Sequence, residues 1–502
     1  VPLSQADLMA QSKLDRAKAQ EGVEPVKGAL SLEEAVARAL KYNLERRSKM
    51  MEEAQAFSQY DVSRYDMLPK LTAQAGYHYR DKDRTVDSID SVTGAPSLAN
   101  PSISSEREHH TRELGLAWNM LDFGVSYIAA KQNGDRVLIA SERRRKAMHI
   151  LIQDVIGAFW RTASAQRLNG EVRKAIMSAE QALADSRKAE SEGLRSPLDS
   201  LKYQRQLLEN LKLLEGVEQE LASARIELAH LLNVPLVVDL KVVEPPETLA
   251  TKIISVPVEQ LEEVAISQNA DLREQHYNAR IAAQEGKKII LKLFPSLSFN
   301  YSLKYDSDRY LINNNWKEAG ALLSFNIFNL LSAPAQMRLA DAGVALVDQR
   351  RVATQMALLA QLHIARLQYA NTIQQFNRAD AIWLVDDKIN KHSVNRDREQ
   401  AQSRLEAVAN NTAAILSNLR RYQALSQVHA ASGKLQATLG MQPEIGSVQE
   451  MSLAELSEAV GKSFKDWQSG ALPKPPEYPV APQADEATTV SAVEAKPDSA
   501  KE

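Results

Sequence analysis

The chain has 502 residues, a net charge of −3, only 19 glycines and 19 prolines, and no cysteine. The lack of cysteine excludes disulfide bonds, thiolate metal ligands and an acylated cysteine within this sequence. The near-neutral charge gives no general case for nucleic-acid binding, and no run of about 18 apolar residues predicts a transmembrane helix.

The first predicted elements are a long helix and a strand. Helical spacing predicts a helix from about Ser31 to Met67, opened by a capping box of Ser31 and Glu34. Pro69 ends this helix, because proline lacks an N–H group and biases the residue before it towards an extended conformation. After Pro69 the apolar spacing changes to every second residue, which predicts a strand.

A second alternating strand completes a predicted β-hairpin at about residues 70–121. A helix is then expected from about Val125 to Glu192 and, after the break EGLRSP, another to Leu232. Two helices of about 35 residues placed end to end match one of about 67, so the sequence predicts a rod roughly 100 Å long. The basic run ERRRK at 142–146 is interpreted as a solvated helix face.

The second half of the chain repeats this order of elements. Pro69 recurs as Pro295 and Asn43 as Asn269, both at the same offset along the sequence. The offset between equivalent residues becomes smaller once, within the hairpin, because the first hairpin is longer than the second. The extra segment of the first hairpin is therefore predicted to be an exposed loop. The second hairpin is expected at about 296–328. Spacings of three and four alternate along a predicted coiled-coil seam of Leu405, Val408, Thr412, Ile415, Leu419 and Tyr422.

Each predicted strand has one apolar face and one polar face. About ten residues of this alternation fit a transmembrane β-strand with a polar lumen, although a soluble four-stranded sheet with one buried face has the same pattern. Four strands do not close a barrel, so in lipid two chains would have to supply 8 strands or three chains 12. Aromatic residues expected to face the membrane are Tyr77, Tyr79, Trp118, Phe299, Tyr301, Tyr305 and Phe325, with Trp316 as a further interfacial residue.

Motifs for catalysis or cofactor binding are not found. The sequence has no His-Glu-x-x-His motif, no glycine-rich phosphate loop and no nucleophile elbow. His109 and His110 lie in the longer loop, at consecutive positions that do not easily face one ion. The sequence therefore predicts no enzyme, no catalytic residue, no cofactor and no metal site.

Several motifs resemble those of the TolC family of outer-membrane channel proteins. They are LEEAVARALKYN, LPKLTAQAGY and its echo FPSLSFNYS, the break GLRSPLDSL, and the closing LLNVP and TLGMQP, which together span roughly residues 30–445. The resemblance implies a mainly α fold with β-strands, internally duplicated, in which a trimer closes a 12-stranded barrel in outer-membrane lipid. This barrel continues as a long α-helical coiled-coil barrel across the periplasm.

The resemblance also implies a function and partners. The expected function is a passive exit duct of a tripartite efflux pump or a type I secretion system, docked onto a periplasmic adaptor protein and an inner-membrane transporter of the RND or ABC type. The expected chain is exported with a cleaved signal peptide and is not lipidated at an N-terminal cysteine. The alternative is a structural coiled-coil adaptor or tether without channel activity, which has no need of four strands with aromatic faces.

The repeat and the resemblance together divide the chain into six segments. The last is expected to be disordered, because it is rich in proline and has few large apolar groups. The segments are an N-terminal periplasmic equatorial segment (1–30), the first repeat (31–233), an equatorial linker (234–256), the second repeat (257–440), a C-terminal equatorial segment (441–470) and the tail (471–502).

Acidic residues narrow the periplasmic entrance in the TolC family, where the inner helix of the second repeat begins. The matching residue is Glu406, whereas the place of a second acid, three residues on, holds Ala409. Asp199 is the equivalent residue in the first repeat. N-capping of its helix is at least as well supported a role for Asp199 as a contact in the gate. Arg398 and Arg404 are further gate candidates that would form closing salt links.

Overall fold

The structure is a computed structural model that describes residues 2–87, 89–96, 101–192, 196–244, 246–398, 404–443, 445–446 and 448–472, with the backbone alone for 394, 396–398 and 404–405. Long helices and two main strands occur in the same order in each half of the chain, four main strands in all, so the predicted mainly α fold with β-strands is confirmed. The elements are α1 (Gln5–Ala19), α2 (Leu32–Tyr42), α3 (Leu44–Tyr65), β1 (Lys70–Tyr79), β2 (Thr85–Val86), β3 (Ser102–Ile103), β4 (Glu108–Asn119), α4 (Met120–Ser191), α5 (Pro197–Leu231), a 3-10 helix (Thr251–Ser255), α6 (Val258–Gln268), α7 (Ala270–Leu291), β5 (Ser296–Asp306), β6 (Asn315–Ser324), α8 (Phe328–Arg398), α9 (Arg404–Leu439) and α10 (Leu453–Ser469).

The helix predicted from Ser31 to Met67 is in fact two helices, α2 and α3. Asn43 separates them with an extended backbone (ψ 125°), and its side-chain oxygen caps α3 by accepting from the N–H of Arg46 at 2.9 Å. Its amide donates to the carbonyl of Leu231 at the end of α5 (3.1 Å). Asn269 does the same between α6 and α7, where its amide donates to the carbonyl of Thr438. The break therefore belongs to the duplicated unit.

The capping box predicted at Ser31 forms only in part. The Ser31 hydroxyl accepts from the N–H of Glu34 at 3.1 Å. The Glu34 carboxylate pairs instead with Arg38 at 3.0 Å, one turn further along α2. A single cap is enough to start α2, because it satisfies one of the N–H groups that have no partner within the helix.

Each long helix lies along two shorter ones. α4 packs against α3 and α5, and α8 packs against α7 and α9, while α4 also contacts α7 and α9 and so joins the two repeats. With 72 residues α4 is roughly 110 Å long. In the predicted seam of α9 the five residues from Val408 to Tyr422 are all buried, which confirms the coiled-coil pattern there; the side chain of Leu405 lies outside the described part.

The main sheet is antiparallel with the strand order β1-β4-β5-β6. Leu116 of β4, for example, lies opposite Leu71 of β1 and Tyr301 of β5. β1 and β6 are edge strands, each paired on one side only. The extra length of the first repeat lies between β1 and β4 and carries the small β2–β3 pair.

Around the middle of the rods lies a layer that we term the belt: the residues preceding α2, the linker 234–256, and the chain after α9 through α10. Leu30 joins the linker by two backbone hydrogen bonds, and the indole N–H of Trp467 donates to Ser432 of α9 at 2.8 Å. Beneath the belt the ring of Trp160 stacks on that of His429 at 4.6 Å. Burial lowers the pKa of His429 to about 4, so a neutral imidazole is stacked there at pH 7.

The interpretation of ERRRK as a solvated face holds for Arg143 and Lys146, which are exposed, but not for the run as a whole. Arg143 and Lys146 pair with Glu274 and Asp271 of α7, whereas Arg144 pairs with Glu53 of α3. Glu142, 6 % exposed, pairs with Arg145 and with Arg273. The run is thus a polar junction through which α4 is fixed between α3 and α7.

No helix in the described part of the chain is both long and apolar enough to cross a membrane.

The tail was predicted at 471–502, and its residues 473–502 lie outside the described part of the chain.

Candidate functional site

Two prolines stand where the rods pass into the sheet. α3 ends at Tyr65 and β1 begins at Lys70, directly after Pro69; α7 ends at Leu291 and β5 begins directly after Pro295. The short turns before the prolines carry backbone hydrogen bonds from Leu68 to Tyr65 and from Phe294 to Leu291. The two junctions lead into β1 and β5, which lie on either side of β4 and run in the same direction.

One face of the sheet is apolar and exposed along the part that adjoins the rods. Leu116 of β4 is 41 % exposed and lies between Leu71 of β1 and Tyr301 of β5. Farther from the rods the same face also carries charged residues, Arg112 of β4 and Lys317 of β6. An exposed apolar band of this kind marks a surface that contacts an apolar partner or a membrane.

Aromatic side chains on the apolar face lie towards both of its ends. Near the rods, Trp118 stacks on Phe299 with ring centres 6.3 Å apart. At the far end Tyr77, Tyr79 and Tyr305 occupy the same face. From Phe299 to Tyr305 the strand rises roughly 20 Å.

Two aromatic predictions differ from the structure. Phe325, predicted as a strand residue, lies one position beyond the end of β6 at Ser324. Trp316 lies opposite Lys304 and therefore on the polar face rather than the apolar one. The register of β6 could not be read from its own sequence, because the apolar run from Ala319 to Leu323 covers both faces.

The opposite face is polar and carries paired charges. Lys304 of β5 contacts Glu318 of β6 at 2.6 Å and lies 4.0 Å from Glu113 of β4. His78 and His109 stack on this face at 4.8 Å, and Nδ1 of His109 lies 2.7 Å from Asp306. A sheet with one apolar and one charged face separates lipid from water in the way a pore wall requires.

His109 and His110, which were expected in the longer loop, lie in strand β4 instead. His109 pairs with His78 and His110 with Tyr77, so consecutive residues of β4 point to opposite faces. Among the described residues no group of three or more His, Asp or Glu is placed to hold a metal ion.

The gate candidates lie at the rod ends opposite to the sheet. Asp199 is exposed in the first turn of α5, but the N-cap of that helix is Ser196. Glu406 is exposed in the first turn of α9. Arg398 ends α8 and Arg404 begins α9, and their side chains, like the links 193–195 and 399–403, lie outside the described part.

An ionic cluster that the sequence did not indicate lies between α8, α9 and the belt linker. Arg421 of α9 donates to Asp380 of α8 and to Glu247 of the linker, both at 2.5 Å. Its guanidinium also lies 4.9 Å from the ring centre of Trp383. Beside it the hydroxyl of Tyr422 donates to Glu244 at 2.7 Å, and burial raises the pKa of this tyrosine.

A two-faced sheet at the end of long paired rods defines the class of fold: duplicated helical rods joined to a four-stranded antiparallel sheet. The sequence profile of the family described as "Outer membrane efflux protein" matches residues 36–234. No curated protein is a significant match in sequence.

Solved structures that are similar to this fold include outer membrane channels. A membrane protein from Pseudomonas aeruginosa is similar with a TM-score of 0.63 and 17 % identity, over 84 % of this chain and 92 % of that one. The CmeC outer membrane channel of Campylobacter jejuni has a TM-score of 0.61 and 15 % identity, over 88 % and 89 %. The open state of the MtrE outer membrane channel of Neisseria gonorrhoeae has a TM-score of 0.61 and 14 % identity, over 82 % and 89 %.

The profile match covers the first repeat, whereas the similarity to the solved structures extends over both repeats. The chain therefore has the fold of the outer membrane channels named above.

Proposed function

We propose that three copies of this chain close a 12-stranded barrel and form the passive exit duct of a tripartite pump. The observation that carries the proposal is that the sheet is open. Among the described strands β1 and β6 each have a neighbour on one side only, and one face of the sheet is largely apolar. Backbone groups at an edge have no partner in lipid, so the edges must pair with other copies. Pairing of β6 with β1 of the next copy closes the barrel when three chains contribute four strands each.

In this assembly the apolar face contacts outer-membrane lipid and the polar face lines the lumen. The aromatic residues at the two ends of the apolar face would lie at the two membrane interfaces, where amphipathic rings are favoured. Lys304, Glu318 and Glu113 would line the lumen, where their charges stay hydrated.

Exposed apolar residues on the rods support contact between copies along the tunnel. They lie on α5 and α8, helices that are otherwise polar enough to be soluble, and they leave a surface that a neighbouring rod would cover. Those on α5 are Leu198, Leu201, Leu208, Leu213 and Ile226, and those on α8 include Met356, Ile364, Leu367, Leu384, Val385 and Ile389.

The proposed partners are a periplasmic adaptor protein and an inner-membrane transporter of the RND or ABC type. The duct would serve either drug efflux or type I secretion. Location in the outer membrane requires export, for which a cleaved signal peptide is the ordinary route. The sequence contains no cysteine, so no cysteine within it is acylated. A coiled-coil adaptor or tether without channel activity is the less favoured function, because it leaves the exposed apolar sheet face without a role.

The duct is tested by conductance. Purified protein added to planar lipid bilayers is expected to give discrete steps of current, and cross-linking in detergent is expected to stop at three chains. A soluble monomer that produces no steps would exclude the duct and favour the adaptor alternative.

The proposed entrance lies at the tips of the rods, with Glu406 and Asp199 as its acids and Arg398 and Arg404 as their neighbours. Glu406→Ala is expected to lower the preference for cations over anions about twofold or more, because removing a carboxylate from each of three chains removes three charges from one ring. The measurement is the reversal potential in a salt gradient. Glu215→Ala, which removes an exposed acid far from the α5 tip, is the matched control. Equal potentials for all three proteins would place the constriction elsewhere.

A further inference from the structure

A cavity of about 260 Å³ lies between the rods and the belt. Its walls come from α2, α4, the linker, α8, α9 and α10, and every residue that lines it belongs to the described part of the chain. Most of the large side chains in the wall are aromatic or aliphatic. They include Ile156, Trp160, Leu249, Val428, Phe464 and Trp467.

Two residues of the wall carry a buried nitrogen that has no hydrogen-bond partner. Trp160 is 1 % exposed, and its indole N–H meets no acceptor among the described residues. Nε2 of His429, whose ring stacks on that of Trp160 at 4.6 Å, has no partner there either. Folded proteins leave few buried polar groups unsatisfied, so these two nitrogens indicate a partner that is not part of the described chain.

Other polar side chains of the same wall are satisfied by the protein itself. The indole N–H of Trp467 donates to the hydroxyl of Ser432 at 2.8 Å. The hydroxyl of Tyr369 donates to the carbonyl of Ala250 at 3.1 Å. Trp160 and Trp467 are thus both buried in one cavity wall, and only the indole of Trp160 has a free donor.

The charges around the cavity favour an uncharged ligand. Burial lowers the pKa of His429 to about 4, so its imidazole is neutral at pH 7. The charged residues of the wall are one acid, Glu33, and one base, Lys465, which together give no net charge. An ion would lose its hydration in this cavity without an excess of opposite charge to compensate it.

We propose that this cavity binds a small uncharged aromatic molecule that carries a hydrogen-bond acceptor, with the indole N–H of Trp160 as the donor to that acceptor. Aromatic side chains in the wall offer faces and edges against which a ring packs. An apolar cavity with a few polar groups that fix orientation is the usual form of a small-molecule site. A ligand bound here would contact α4, α9 and α10 together and so hold the belt against the rods.

The cavity is separate from the parts of the molecule that the proposed duct uses. Trp160 lies near the middle of α4, which runs from Met120 to Ser191, and is roughly 60 Å from the end that adjoins the sheet. Binding at Trp160 therefore requires neither the barrel nor the gate, and it can fail or succeed independently of conductance.

The test uses two probes of nearly the same shape. Acetophenone has a carbonyl oxygen, and α-methylstyrene has a CH2 group in place of that oxygen. Calorimetric titration of the full-length protein in detergent is expected to show saturable binding of acetophenone and about fivefold weaker binding of α-methylstyrene, because one hydrogen bond is lost. Tm is expected to rise with acetophenone. Equal detergent concentrations keep the partition of the probes into micelles the same for every protein compared.

Three variants locate the site. Trp160→Phe keeps an aromatic ring but removes the N–H group, and it is expected to bind both probes equally. Trp383→Phe makes the same substitution in α8 outside the cavity and should keep the fivefold preference. Gly461→Leu adds a side chain to the wall; its Cβ would meet Glu33 at an ordinary distance of 3.5 Å, so the helix is expected to form and both probes to bind about tenfold more weakly.

Three results would overturn the proposal. The first is a wild type that binds neither probe, which is expected if the cavity holds only water. The second is a preference for acetophenone that persists in Trp160→Phe, since another group would then donate the hydrogen bond. The third is wild-type affinity of Gly461→Leu for both probes, which would place their binding elsewhere. Should Trp160→Phe not fold, the results for the wild type and Gly461→Leu decide.

Discussion

Leu116→Arg is expected to lower the amount of assembled trimer in the outer membrane at least about tenfold. Leu116 of β4 lies between Leu71 and Tyr301, in the middle of the apolar band of the sheet. An arginine at the bilayer midplane of a β-barrel costs about 2–4 kcal/mol, and every trimer would carry three. The measurement is the fraction of chain found as folded trimer in outer-membrane fractions by semi-native gel electrophoresis.

The matched control places the same residue on the other face. Gln74 is the neighbour of Ala73 on β1 and lies opposite Glu113. Gln74→Arg would put its charge in the proposed lumen beside a carboxylate, where it stays hydrated and gains a cross-strand partner. Normal assembly is therefore expected. If both variants assembled equally well, the apolar face would not contact lipid, and the proposed orientation of the sheet would be wrong.

The parts of this fold that depend on local spacing were predictable. The strand faces follow from a period of two over about ten residues, and the passage from helix to strand follows from Pro69 and Pro295. Repetition strengthened both predictions, because a pattern that occurs again in the second half of the chain, in the same order, is not a chance alternation. β6 is the exception, since its long apolar run hides which residues face which side.

In the sequence, Asn43 and Asn269 stand out only because they occupy equivalent positions in the two repeats, and nothing there indicates that the helix is interrupted. Helical spacing continues through both positions, and asparagine costs little within a helix. What extends the backbone is a hydrogen bond to a distant carbonyl, of Leu231 in one repeat and of Thr438 in the other. Sequence spacing contains no information about those partners.

Charged groups were the least predictable part of the molecule. Arg143 and Lys146 find their partners 131 and 125 residues away, so a run that looks solvated forms a junction between helices. Arg46 gives no sign in the sequence that it is buried, because it follows Asn43 in the first turn of a polar helix. Burial of such residues is decided by tertiary packing, which local periodicity does not report.

Arg421→Ala is the second large effect that we expect, a loss of about 3 kcal/mol in the free energy of unfolding per chain. Arg421 is nearly buried and holds two carboxylates at once, Asp380 and Glu247, whose side chains are 35 % and 32 % exposed. Removing one partner of a buried ion pair costs about 3–5 kcal/mol, because the charge that remains is uncompensated. Partial hydration of the two carboxylates places the expected value at the lower end.

The measurement is the denaturant midpoint in detergent, and the neighbouring residue provides the control. Arg420 is exposed on the same helix, so Arg420→Ala removes the same charge without the cluster and should change the free energy of unfolding by less than about 0.5 kcal/mol. Arg421→Lys keeps the charge but loses the guanidinium, whose several N–H groups reach both carboxylates. Its loss in the free energy of unfolding should lie between those of the two alanine variants. Similar losses for Arg420→Ala and Arg421→Ala would mean that net charge, rather than this junction of α8, α9 and the linker, stabilises the protein.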